Sequence, residues 1–135
     1  MDQIFNQPEE KKSRPMGRAF ASVISEHGTG MLSLDEYLIQ KPAATYFLRA
    51  SNDKMSPTIL PQDLMIVDRS LTPAQGMIVI ATWRGEFTCK RFFQFPQHIE
   101  LRSDNPHEEV IKITQEQASN FELWGVVTYV IHRTT

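Results

Sequence analysis

From residue 45 onward, apolar and polar positions fall into short runs separated by turn residues. The runs are TYFLRAS at 45–51, DLMIVDR at 63–69, MIVIATW at 77–83, EFTCKRFFQ at 86–94, HIELR at 98–102, EVIKIT at 109–114 and LWGVVTYVIHR at 123–133. They are rich in β-branched and aromatic residues, which suit a pleated, half-buried surface. Pro61-Gln62-Asp63 and Gln75-Gly76 punctuate the series, and Arg84-Gly85 links two runs closely enough to read as a hairpin. Short strands at this spacing predict a mostly β domain, a partly open barrel or sandwich. One short helix is expected over 33–41. Ser33 stands three residues before Glu36, Leu34 and Leu38 share a face, and Pro42 ends the element.

Residues 1–32 read differently. Periodic apolar positions are few, Pro8, Pro15, Gly17, Gly28 and Gly30 interrupt them, and Glu9-Glu10-Lys11-Lys12 is a solvated charge cluster. This stretch is expected to be a flexible N-terminal arm ahead of a β domain at 33–135. Its one apolar patch, AFASVIS at 19–25, is a candidate strand that would need another element to lie against.

Composition narrows the function classes. The chain has 135 residues, 41% hydrophobic and 22% charged, which suits one domain plus a tail. No apolar run approaches the ~18–20 residues of a membrane span, so no membrane association is expected. The polar N-terminus lacks a signal core, and the single cysteine, Cys89, fits a reducing cytoplasm. A net charge of −2 argues against a protein whose main task is gripping DNA phosphates. Phosphate-loop and dinucleotide signatures are missing, and His27, His98, His107 and His132 lack ligand spacing, so no cofactor or metal is expected. Met65 and Met77 are expected as core fillers, and Trp83 and Trp124 in core or interface. Phe87, Phe93 and Phe95 are expected in the core rather than on an exposed aromatic edge. The run LWGVVTYVI carries more apolar surface than a lone edge strand should expose, which predicts a homodimer.

One constellation points to chemistry. Residues 50–63 read ASNDKMSPTILPQD, and a later hairpin strand, 85–92, reads GEFTCKRF. Strand alternation puts Thr88, Lys90 and Phe92 on one face. This pattern resembles the LexA/UmuD family of self-cleaving serine–lysine proteins. Met55 matches the methionine after the family's serine, Asp63 its aspartate and Lys90 its lysine. The resemblance extends through YLIQKPAATYFLRAS, DLMIVDRSLTPAQGMIVIA, LRSDNP and LWGVVTYVI, roughly residues 33–132, and is strongest to the UmuD branch. No helix-turn-helix domain is expected ahead of the arm.

Two positions depart from the family. The nucleophilic serine falls on Lys54, and the glycine before the aspartate is Gln62. The arm also lacks the Ala-Gly or Cys-Gly pair at which the family cuts itself; Met16-Gly17 is the nearest analogue. In a serine–lysine pair the base is a neutral amine, and burial lowers a lysine pKa from ~10.4 toward the value such a base needs. Lys90 is the candidate general base, but Lys54 offers it no hydroxyl. Ser51, Ser56 and Thr88 are the substitutes weighed, each displaced from the position that hydrogen-bond reach requires. Two ammonium groups at ~4 Å would repel by about 4 kcal/mol at an effective dielectric near 20, so Lys54 is expected to turn to solvent.

The resemblance implies a homodimer that binds RecA–single-stranded DNA filaments. It also implies a Y-family polymerase partner (UmuC-like), with which the dimer forms DNA polymerase V in the SOS response. The expected function is that of a UmuD-like accessory subunit that does not cleave itself. An active self-cleaving peptidase would need serine at 54 or another nucleophile. A LexA-like or phage regulator would need a DNA-binding unit, for which Lys11, Lys12, Arg14 and Arg18 of the arm are the candidates.

Overall fold

The computed structural model describes residues 33–135. The arm, with Met16 and Gly17, lies outside the described residues. Helix α1, Leu34–Leu38, starts as the capping residues require, with Ser33 Oγ accepting from the Glu36 N–H at 3.4 Å. It stops three residues short of the expected end. Ile39 is already extended, and Pro42 opens a 3-10 turn, Pro42–Ala44, instead of a further helical turn.

The compact β unit runs from Lys41 to Thr135. Its strands are β1 Thr45–Arg49, β2 Leu64–Asp68, β3 Ile78–Trp83, β4 Glu86–Gln94, β5 His98–Arg102, β6 Ile111–Thr114 and β7 Phe121–Ile131. All belong to one antiparallel sheet in the order β1-β2-β7-β3-β4-β5-β6. The mostly β class expected from the run spacing is what forms. The described residues include no helix long and apolar enough to cross a membrane.

The sheet buries apolar residues on both faces. Val79 and Ala81 of β3 join Phe92, Leu101, Ile113 and Val126 in one cluster. Ile80, between them, joins Met55, Ile59, Met65 and Val67 in the other. Among the described residues no long helix covers either face, so the curvature of the sheet itself has to close these clusters. Strand β7 supplies two breaks in register, opposite Ile66/Val67 and opposite Ile80/Ala81. Such bulges bend a strand and sharpen its twist. At the first, Thr128 Oγ1 donates to the Ile66 carbonyl at 3.2 Å.

Several expectations need correction. The run at 123–133 is not an edge: β7 sits between β2 and β3, and among the described strands the outer ones are β1 and β6. Its apolar content serves both clusters, so the premise for a dimer face on that strand is gone. Met77 is 42% exposed, just before β3, where its sulfur accepts from the Ala74 N–H at 3.3 Å. The three phenylalanines are not core. Phe87 is 67% exposed and meets Trp124 edge-on, Arg102 covers Phe93, and Phe95 stacks on His98. Trp83 and Trp124 are half-buried against the first and second clusters.

The open end of the β2–β7 pair is tied by Asp63 and His132, which flank Leu64 and Ile131. Asp63 is buried, with one oxygen 2.7 Å from His132 Nδ1 and the other accepting the Leu60 N–H at 2.9 Å. Facing an ionised carboxylate, Nδ1 must donate. Burial pushes the Asp63 carboxyl up, but the Leu60 N–H and His132 outweigh it and hold its pKa below the ordinary carboxylate value.

Two outcomes follow. A Cβ at Gly125 would sit 2.6 Å from Val67 Cγ1. Gly125→Ala should therefore cost about 1–3 kcal/mol and lower the melting temperature by several degrees, readable by calorimetry. The stabilisation from Asp63 should be complete above its unfolded pKa near 4 and lost as pH falls through its lower folded value. Urea titrations from pH 7 to 2 should show a smaller acid loss in Asp63→Asn, which starts about 1.5–3 kcal/mol less stable at neutral pH.

Candidate functional site

The loop from Ala50 to Asp63 begins where β1 ends and returns to β2. Its neck is closed by the Ala50 N–H to Asp63 carbonyl bond at 2.9 Å and the Gln62 N–H to Ala50 carbonyl bond at 2.8 Å. Met55 and Ile59 plunge into the second core cluster and anchor the loop. Between them and β1 the chain turns tightly. Lys54 N–H donates to Asn52 Oδ1 at 3.0 Å, and Ser56 N–H to the Asp53 carbonyl at 3.0 Å.

A second loop, following β5, locks this turn. Asn105 N–H donates to the Lys54 carbonyl at 3.1 Å and Asn105 Nδ2 to the Asp53 carbonyl at 3.2 Å. Asp104 takes Arg91 Nε at 2.8 Å and Arg91 Nη2 at 3.0 Å, and Thr58 Oγ1 at 2.5 Å. The Arg91 guanidinium holds the Asp104 carboxyl below the usual carboxylate range. Strand β4, the turn at 54 and the loop at 103–108 are thus fixed to one another by backbone and paired side chains.

Lys90 projects from β4 beneath this clamp. It is 4% exposed, and its Nζ lies 2.5 Å from Ser103 Oγ. Burial, and then the Lys54 ammonium, hold the Lys90 amine below the usual lysine range, against the opposing pull of Glu108. Lys54 is exposed. Both lysines line one cleft of about 390 Å³, with Thr88, Phe87 and Glu108. A neighbouring cleft of about 360 Å³ shares Lys54, Phe87 and Thr88 and runs over apolar residues to Leu48 and Trp124. The fold therefore brings the two sequence-selected lysines to one cleft.

The arrangement places a desolvated amine, with its pKa lowered, in a cleft where residue 54 presents a second amine and no hydroxyl. Ser56 Oγ is engaged with the Ile59 carbonyl at 3.5 Å. Cys89 faces the other side of β4, 3.8 Å from the Met65 sulfur, and burial pushes its thiol up to about 12, so it is not a thiolate at neutral pH. The residue that sequence reasoning missed is Ser103. It lies within the run LRSDNP, and nothing in its spacing from Lys90 shows that β5 would bring it alongside.

The second departure from the family pattern has a backbone consequence. Gln62 adopts φ +77°, the left-handed region that glycine occupies without strain. Arg49 Nη1 donates to the Gln62 carbonyl at 2.8 Å, a bond that does not need the side chain. Gln62→Gly should stabilise the protein by about 0.5–1 kcal/mol, seen as a higher urea midpoint with an unchanged slope.

The description of Peptidase S24-like proteins matches residues 16–128. Protein ImpA of Salmonella typhimurium is 41% identical over 117 residues, 85% of this chain and 77% of that protein. Protein SamA of Salmonella typhimurium is 40% identical over 116 residues, 85% of this chain and 79% of that protein. LexA repressor 2 of Geobacter sulfurreducens is 38% identical over 85 residues, 62% of this chain and 39% of that protein. The resemblance read from the motif residues is borne out: the chain belongs to the Peptidase S24-like family.

Proposed function

We propose that the chain is a UmuD-like accessory subunit of an error-prone translesion polymerase that acts by binding and does not cleave itself. The observation that carries the reading is the lysine at position 54 in a site otherwise assembled. The turn is clamped, Lys90 is buried with a lowered pKa, and the clefts beside it are open. The family resemblance and the likeness to ImpA and SamA support the SOS setting. On this reading the chain forms a homodimer, engages the RecA–single-stranded DNA filament and joins a Y-family polymerase.

A second reading, a self-cleaving peptidase, is favoured by one contact, the Ser103 hydroxyl 2.5 Å from Lys90 Nζ. Intact-mass spectrometry separates the two. The purified protein, alone and with RecA filament, should keep its full mass; a fragment cut in the arm, at Met16-Gly17 or elsewhere, would overturn the first reading. Lys54→Ser should cleave in the arm, faster as pH rises from 7 to 10 and Lys90 loses its proton. Adding Lys90→Ala should abolish that cleavage. Co-purification with a Y-family polymerase tests the binding role, and a failure to associate would count against it.

A further inference from the structure

Strand β7 is internal, which leaves the homodimer of the proposed reading without the face expected for it. The fold supplies another. Among the described strands β1 has one neighbour, β2, and its far side is an edge. Two bonds fix which residues face that side. The Arg69 N–H donates to the Ala44 carbonyl at 2.8 Å, and the Ala50 N–H to the Asp63 carbonyl at 2.9 Å. Between them the β1–β2 register is unbroken. Bonded and non-bonded pairs alternate along an antiparallel ladder, so Tyr46 and Leu48 also turn their backbone toward β2. Thr45, Phe47 and Arg49 turn their N–H and C=O groups outward. Outer strands are commonly blunted by proline, a bulge, charges or short length. Strand β1 reads TYFLR, with no proline, no break in register and one charge, and Phe47 at its centre is 55% exposed. The other outer strand, β6, is four residues long and carries the exposed Lys112.

We propose that two copies of this chain pair through β1, antiparallel about a two-fold axis at Phe47, so that the two sheets run on into one another. The inference rests on the homodimer of the proposed reading and assigns its surface. The strand is complementary to itself. About that axis Phe47 meets Phe47 of the second copy, and Thr45 meets Arg49 on either side. These pairs each exchange two backbone bonds, about six in all, and every outward group of the three residues is used. The two Phe47 rings come to lie side by side on one face, a cross-strand aromatic pair. Charge agrees with this register. Arg49, the only charged residue of β1, does not face its own equivalent. It falls beside Thr45 of the second copy, and on that copy Asp68 is the residue paired with Thr45, on the same face. A strand pair of 5 residues is a small interface, so the association should depend on concentration and not be obligate.

The test is residue-resolved amide hydrogen exchange on the full chain, with light scattering on the same samples, from low micromolar to millimolar concentration. We expect a monomer–dimer equilibrium in which the Thr45, Phe47 and Arg49 amides gain protection as the dimer forms, while those of Tyr46 and Leu48 are protected throughout. This measurement needs no variant to fold. Phe47→Pro removes a donor that β2 does not use, so the fold should stand and the dimer should weaken by about ten- to a hundredfold. Phe47→Lys keeps every backbone donor, sets like charges opposite one another and should weaken the dimer too. A dimer whose three outward amides stay unprotected would overturn the proposal and leave the homodimer standing with its interface elsewhere. A chain that stays monomeric would overturn both. Protection of the three amides that does not change with concentration would overturn the proposal in favour of an occupant from the same chain, such as residues 19–25.

Discussion

The site hangs on one carboxylate. Asp104 receives two guanidinium donors of Arg91 and the hydroxyl of Thr58, and so joins strand β4, the loop at 50–63 and the loop after β5. A planar fork on a carboxylate fixes direction as well as distance. Arg91 also donates to the Gly76 carbonyl at 2.8 Å, which secures the entry to β3 by the same side chain. Lys90 is the residue next to Arg91, so its ammonium is aimed from a strand position already held. Without this junction the turn at 54 would rest on its own local bonds, on the two bonds from Asn105, and on Met55 and Ile59.

The clamp explains how the turn can carry a lysine at position 54. Position 54 is held through its carbonyl and amide, by Asn105 and Asn52, and neither bond depends on the side chain. The side chain is free to reach water while Lys90 stays inside. Desolvation then falls on one amine instead of two, and the cost appears as a lowered Lys90 pKa. The side chain at 54 thus sets the chemistry of the cleft and leaves its architecture standing.

Much of the fold was legible in the sequence because β-branched runs and turn residues are local signals. All seven runs formed strands, and the 86–94 and 98–102 boundaries match the structure. Lys90 was legible too, since alternation along β4 puts it on the face of Phe92, in the core. What failed was non-local. The rank of β7 within the sheet depends on which strands accept it, and no periodicity records that. The exposure of Phe87 and Met77 depends on where a strand ends relative to its neighbours. Ser103 could not be found from spacing because strand β5 and its loop must first return alongside β4.

The central position of β7 has a consequence for how the chain is made. Strands β1 and β2 can form a hairpin early, and β3 to β6 can form a meander, but among the described residues no hydrogen-bonded ladder joins the two pieces until β7 inserts between β2 and β3. Among the described strands the last in chain order is the one that closes the sheet. Closure therefore waits until residues 121–131 have been made, and contacts of such long sequence separation make the closing step slow. Until then both apolar clusters stand half-built, since Val126 belongs to one and Val127 packs against the other. A nascent chain stalled before residue 121 would present two unfinished sheet edges to whatever chaperone or protease surveys them.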